Sequence, residues 1–243
     1  MVKRTRRDHL FLAKVARDAE RYEVMAMHMK KVIALNPNLS VEERKLYSVA
    51  YEKWIGARYG SWQCIDDLQQ DEAVKEEWDI ESEMDGILLK EYSDKVAEEV
   101  YEICSDALKT LEESLIQNAV GLETKVSYLK LKADCYHYIG RVTYDDRHEA
   151  AADKGLEAYA VASAFARGLS PIHPIRLSLA LNFSRFHDQV LNSKEESEHV
   201  AREAIEDAKP MKHSLKESKH KKAASIMEQL VDIVAPWIRS SGE

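Results

Sequence analysis

The chain has 243 residues, 45% of them apolar, with only 8 glycines and 5 prolines and a formal net charge of −8. So few turn-forming residues exclude a sandwich or barrel, which needs many tight turns, and favour long helices. The acidic balance argues against a nucleic-acid binder or a protein held on an anionic membrane.

Met1-Val2-Lys3-Arg4-Thr5-Arg6-Arg7-Asp8 is a basic start, but no apolar run of signal-peptide length follows it. No segment approaches a membrane span. Cys64, Cys104 and Cys135 stand far apart with no CxxC pairing, which suits a reducing compartment and gives no disulfide or metal framework. A cytoplasmic protein without cofactor or metal is the expectation.

From about Arg7 to Asn36 the apolar spacing is helical, with a break near Asp18–Glu20. Asn36-Pro37-Asn38 stops the chain, because proline disfavours helix in the residue before it. Ser40-Val41-Glu42-Glu43 reads as a capping box opening a long helix to about Gln70. Asp71 to Gly86 is acidic and interrupted, a loop with a helical start near Ser82. Helical pattern resumes through Leu115, and Gln117-Asn118 breaks it.

Leu122 to Val142 makes another helix, with Lys130, Asp134, His137, Tyr138 and Arg141 on its polar side. Asp146 to Arg167 is a further helix, ended by Gly168. Next comes a helix with Ser170 as N-cap and Pro171 in the first helical position. Its apolar side is Ile172, Ile175, Leu179, Phe183, Phe186 and Val190; its polar rail is Ser178, Asn182, Arg185 and Gln189. His173 is expected to pack rather than act as a base. Ser193-Lys194-Glu195-Glu196 reads as a second capping box, for a helix to about Ala208. Lys209 to Lys222 reads as a basic, mobile connector, and the last helix spans roughly Ser218 to Ile238. The fold class is all-α, a bundle of about nine antiparallel helices.

No fixed repeat period is present, and no enzyme signature: no Gly-x-Ser-x-Gly, no His-Glu-x-x-His, no phosphate-cradling glycine loop. The chain is expected not to be an enzyme. His173-Pro174-Ile175-Arg176-Leu177 with Ala180-Leu181-Asn182-Phe183-Ser184 resembles the seventh helix of 14-3-3 proteins. Ala19-Glu20-Arg21-Tyr22 resembles the second helix of that family. Glu42-Glu43-Arg44, Ser48-Val49-Ala50-Tyr51, Gly56-Ala57-Arg58 and Ser61-Trp62 resemble the third, and Tyr128-Leu129-Lys130, Asp134 and Tyr138 the fifth. The match runs from about Asp8 to Trp237, so residues 1–243 are taken as one 14-3-3-like domain with a short tail, 239–243.

The resemblance implies a cup-shaped dimer and a non-catalytic adaptor whose amphipathic groove binds phosphoserine or phosphothreonine segments of client proteins. A phosphate calls for clustered cations and a hydroxyl. Carried over residue by residue, Lys130, Tyr138, Asn182, Leu181 and Trp237 keep the family's groove residues. Two of the family's phosphate cations fall on Glu52 and Tyr59, a third on His137, and the ninth-helix asparagine falls on Ile233. The apolar wall is altered at Gln229 and made cationic at Arg185, which stands as the compensating charge. With a reference pKa of ~6.5, His137 is expected to be partly charged near neutrality. Weakened or altered phosphate selectivity follows. The alternative is a structural dimerisation module that binds unphosphorylated partners.

The dimer interface implied by the same resemblance uses Val15, Ala19, Arg21, Tyr92, Lys95 and Glu99, in a homodimer or a heterodimer with another family member. The usual acidic partner of Lys95 falls on Val24. An exposed ion pair is worth about 0–1 kcal/mol, so that loss alone is not expected to abolish association.

Overall fold

The structure is a computed structural model that describes residues 4–70, 83–215 and 221–240, the side chains at 83, 212, 215 and 236–240 excepted. Among the described residues every regular element is helical, and the fold is all-α. The chain forms two compact units, Met1–Asn118 with Val142–Asp145, and Ala119–Arg141 with Asp146–Glu243.

The first unit holds α1 (Arg6–Asp18), α2 (Tyr22–Leu35), α3 (Val41–Gln70) and α4 (Glu83–Thr110), the last running on as a π-turn over Leu111–Leu115. Thr5 and Asp8 cap α1 reciprocally, a device the sequence carries as Thr-x-x-Asp. The break before α2 falls where expected, with Glu20 at φ 54. Ser40 and Glu43 form the expected box at α3: the Ser40 N–H donates to the Glu43 carboxylate (2.8 Å) and the Glu43 N–H to the Ser40 hydroxyl (3.3 Å). The same carboxylate takes Arg6 in two bonds, 2.7 and 3.1 Å, tying α1 to the start of α3. The Arg6 guanidinium holds it below the usual carboxylate range. Asp106 on α4 accepts from Tyr51 of α3 (2.6 Å) and pairs with Lys30 of α2. The segment read as an acidic loop lies outside the described residues up to 82, and helix resumes at Glu83.

Between α1 and α2, His9 and His28 meet Nδ1 to Nδ1 at 3.1 Å, so one ring must donate to the other. Burial, with His9 and Arg4 nearby, depresses the His28 pKa, and burial likewise depresses that of His187 in the second unit. The unfolded chain then binds more protons below its histidine pKa of ~6.5, so stability is full above that value and is lost as the pH falls through it. The thermal midpoint is expected to drop between pH 7 and 5, and to drop less in His28→Asn. A flat midpoint across that range contradicts this.

The second unit holds α5 (Leu122–Val142), α6 (Asp146–Ala166), α7 (Pro174–Gln189), α8 (Lys194–Ala208) and α9 (Lys221–Ser240). α7 packs on α6, α8 and α9, and α8 packs on α9. Ile172, Leu177, Leu181, Ala201, Ile226, Leu230 and Val234 form the core shared by α7, α8 and α9. α7 and its neighbours approach closely enough to need glycine twice. A Cβ on Gly140 of α5 would lie 2.7 Å from a Val190 methyl, and one on Gly155 of α6 would lie 2.7 Å from the Phe186 ring.

Two helix starts differ from the sequence expectation. α7 opens at Pro174, not Pro171, with His173 as its N-cap: the ring Nδ1 accepts from the Ile175 N–H at 3.3 Å. Pro174 forces His173 out of the helical region (ψ 128), and proline suits the first helical position. His173 therefore caps rather than merely packs. Ser193 precedes α8 as expected but makes no side-chain cap bond. Its own N–H, which Glu196 would have taken in a capping box, donates to the His187 carbonyl at 2.8 Å. The basic stretch after α8 begins as a 3₁₀ turn, Lys209–Met211, and one helical turn, Lys212–Leu215, rather than an open connector; 216–220 lie outside the described residues.

Candidate functional site

α5 and α7 face each other through polar side chains. Asp134 meets Asn182 while His137 and Arg141 meet Gln189, so the two helices climb in the same direction. At the lower level Asp134 is the centre. It is 6% exposed. One oxygen pairs with Lys130 Nζ one turn back, at 2.5 Å. The other accepts from the Tyr159 hydroxyl of α6 at 2.9 Å and the Asn182 amide of α7 at 2.8 Å. Burial, with the Asp134 charge beside it, lifts the Tyr159 phenol well above its ordinary pKa, so Tyr159 stays a donor. The carboxylate thus meets two neutral donors and one cation, which is how a buried charge is tolerated.

One turn further on, the His137 ring is half-buried, edge-on to Phe186 (5.7 Å) and stacked with Tyr138 (6.1 Å). Its Nε2 lies 3.1 Å from the Gln189 side-chain oxygen. That oxygen only accepts, so Nε2 carries the proton and Nδ1 is the basic nitrogen. Burial is the largest influence on the ring, and Arg141 and Arg185 add to it; together they outweigh Asp134 and Gln189 and push His137 down to about 4. The expected part-time cation at position 137 is therefore corrected: the free ring is neutral at pH 7.

The polar rail of α7 is tied down along its length, with Arg185 and Gln189 still exposed. Asn182 and Gln189 bond to α5, Arg185 donates to Gln229 of α9 at 3.0 Å, and Ser178 bonds back to the Ile175 carbonyl. Arg185 and Gln229 both depart from the resemblance pattern, and they are partners. Arg185 is exposed and close enough to His137 to disfavour its protonation, which brings it to the neighbourhood of Tyr138. Lys130 has its charge matched by Asp134. Leu181 is 4% exposed and belongs to the α7–α8–α9 core, leaving little of it for a groove wall. The side chain of Trp237 lies outside the described residues. In the first unit, Tyr59 stacks on Trp62 of the same helix (5.6 Å, 23°).

Of the residues assigned to a dimer contact, Val15 (47% exposed) and Tyr92 (57%) leave apolar surface open. Ala19, Arg21 and Lys95 are exposed as well. Glu99 pairs with Arg58 of α3 at 2.9 Å within the same chain. Phe11, Met84, Ile87 and Leu88 extend the exposed apolar surface on α1 and the first half of α4.

A model of the 14-3-3 protein family matches residues 12–238. This chain belongs to the 14-3-3 family. It is 42% identical over 234 residues to the 14-3-3 family protein artA of Aspergillus flavus, covering 96% of each chain. It is 41% identical to the checkpoint signal transducer rad24 of Schizosaccharomyces pombe, covering 96% of this chain and 85% of that one. It is 39% identical to 14-3-3 protein 3 of Entamoeba histolytica, covering 98% of each. As a 14-3-3 protein it is a non-enzymatic, protein-binding adaptor.

For a 14-3-3 chain, the residues that sequence reasoning undervalued are Asp134, Tyr159 and Gln189. Asp134 sat on what reads as a solvated helix face, and only its i,i+4 spacing from Lys130 hinted at a pair. Tyr159 carried no signal, and Gln189 was marked only as part of the polar rail, since their partners are 25 and 52 residues away in sequence.

Proposed function

We propose that this chain binds phosphoserine- or phosphothreonine-containing segments of client proteins, with phosphate selectivity altered from the family pattern. Lys130, Tyr138, Asn182 and Arg185 contact the client, and the position of His137 sets the departure. The observation that carries this is Arg185, an exposed cation beside His137 and Tyr138 whose side chain is oriented by a neutral amide, Gln229. The family match over 12–238 supports treating residues 1–243 as one family domain. The exposed apolar residues of α1 and α4 support a dimer, with itself or with another family member. No described helix is long and apolar enough to cross a membrane, and a cytoplasmic location accords with three cysteines that form no disulfide.

A structural dimerisation module that takes unphosphorylated partners is favoured by two observations, the neutral His137 and the Lys130 charge already matched by Asp134. Fluorescence anisotropy with matched phosphorylated and unphosphorylated peptides separates the two. The phosphorylated peptide is expected to bind at least about tenfold tighter, the worth of one charge-assisted hydrogen bond. Equal affinities at every pH favour the dimerisation module instead.

A further inference from the structure

Where a phosphate would sit is a separate question from whether one is bound. Arg141 and His137 are one turn apart on α5, and Arg185 and Gln189 are one turn apart on α7. Gln189 bonds both α5 residues: its side-chain oxygen lies 3.1 Å from His137 Nε2, and its carbonyl accepts from Arg141 NH1 at 3.3 Å. The two guanidinium groups thus come to one patch around a single imidazole, and both act on that ring. Gln229, a neutral group, is the hydrogen-bond partner of Arg185. Two guanidinium groups at one edge of the site offer an anion fixed positive charge. A guanidinium also offers five donors in a planar fork suited to phosphate oxygens.

Resting on the phosphopeptide function proposed above, we propose that Arg141 and Arg185 clasp the client phosphate beside His137, whose Nδ1 takes a proton from solvent as the phosphate binds. His137 and Arg185 both depart from the resemblance pattern, and the site uses neither Glu52 nor Tyr59. The logic is electrostatic compensation. In the free protein the ring is held neutral by burial and two cations, against Asp134 on its own helix, whose charge Lys130 matches. A phosphate brings about −1.5 to −2 charges, which cancels the arginines and makes an imidazolium favourable. Gln189 accepts from Nε2–H in both states, so the ring need not turn.

The test is a side-chain NMR titration of the full chain labelled at histidine, with the His137 signal assigned by its loss in His137→Gln. Inorganic sulfate is the probe, because it stays a dianion over the whole range and does not titrate with the ring. Without sulfate the ring should titrate at about 4. With saturating sulfate its midpoint should rise by about one pKa unit or more, and Arg141→Gln or Arg185→Gln should each remove most of that rise. Circular dichroism and the unfolding midpoint check that these variants fold. A midpoint unmoved by sulfate, or a rise that persists undiminished in both variants, overturns the site.

A peptide arm keeps the two proposals apart. If a phosphopeptide outbinds its unphosphorylated twin but loses no affinity in Arg141→Gln and Arg185→Gln, the site is overturned and the adaptor function stands. A sulfate-driven rise that depends on both arginines, without any preference for phosphopeptide, supports the anion site and overturns the phosphopeptide function. The joint expectation is a loss of about tenfold or more in phosphopeptide affinity in each variant.

Discussion

Replacing Asp134 with alanine is expected to lower the unfolding free energy by about 3–5 kcal/mol, the cost of breaking a buried ion pair from one side. The truncation removes the carboxylate that pairs with the Lys130 ammonium, whose side chain is 15% exposed. It also leaves the wholly buried Tyr159 hydroxyl without its acceptor and the Asn182 amide without its partner in α5. Each stranded group adds about 1–3 kcal/mol of desolvation that hydrogen bonding no longer offsets, less whatever water can reach. Removing both charges is a different case. A Lys130→Met, Asp134→Leu pair should recover much of the loss, because no lone buried charge remains. Urea denaturation of the wild type, the single variant and the pair measures this directly. A single-variant loss below about 1 kcal/mol would mean that Asp134 is solvated and organises nothing.

Phe186→Ala is expected to cost about 3–5 kcal/mol by cavity formation. Phe186 is fully buried and touches three elements at once. Its ring lies 5.2 Å from Tyr159 of α6 and 5.7 Å from His137 of α5, and against Gly155, where even a methyl group would collide. The close approach at Gly155 leaves no side chain on that side to collapse into the space. The same variant should raise the pKa of His137, since removing the ring admits water and eases the desolvation that now depresses it. Stability and the electrostatics of the site thus share one residue. Phe186→Leu should lose less than half as much, and a Phe186→Ala loss under about 1.5 kcal/mol contradicts this packing.

The parts of the molecule legible in the sequence were those decided locally. The α3 start followed from Ser40 and Glu43, and the α5 limits from their flanking breaks. α7 was displaced by three residues because two prolines compete to open it, and the second wins by constraining His173. The resemblance located the α5 and α7 residues of the site but not their chemistry. Whether Asp134 faces water or a core depends on Tyr159 and Asn182, and the charge of His137 depends on Phe186, Tyr138 and two arginines. The Arg185–Gln229 bond joins positions 44 residues apart, so two departures that look independent along the chain are one adjustment in space.

The central claim is that the polar edge shared by α5 and α7 meets the client. The most direct measurement is a map of NMR shift changes on adding a phosphopeptide to the isotope-labelled full chain. Changes centred on Lys130, Tyr138, Asn182 and Arg185 are predicted, fading when the unphosphorylated twin is added at the same concentration. Changes confined to the exposed apolar residues of α1 and α4, with α5 and α7 silent, would contradict it.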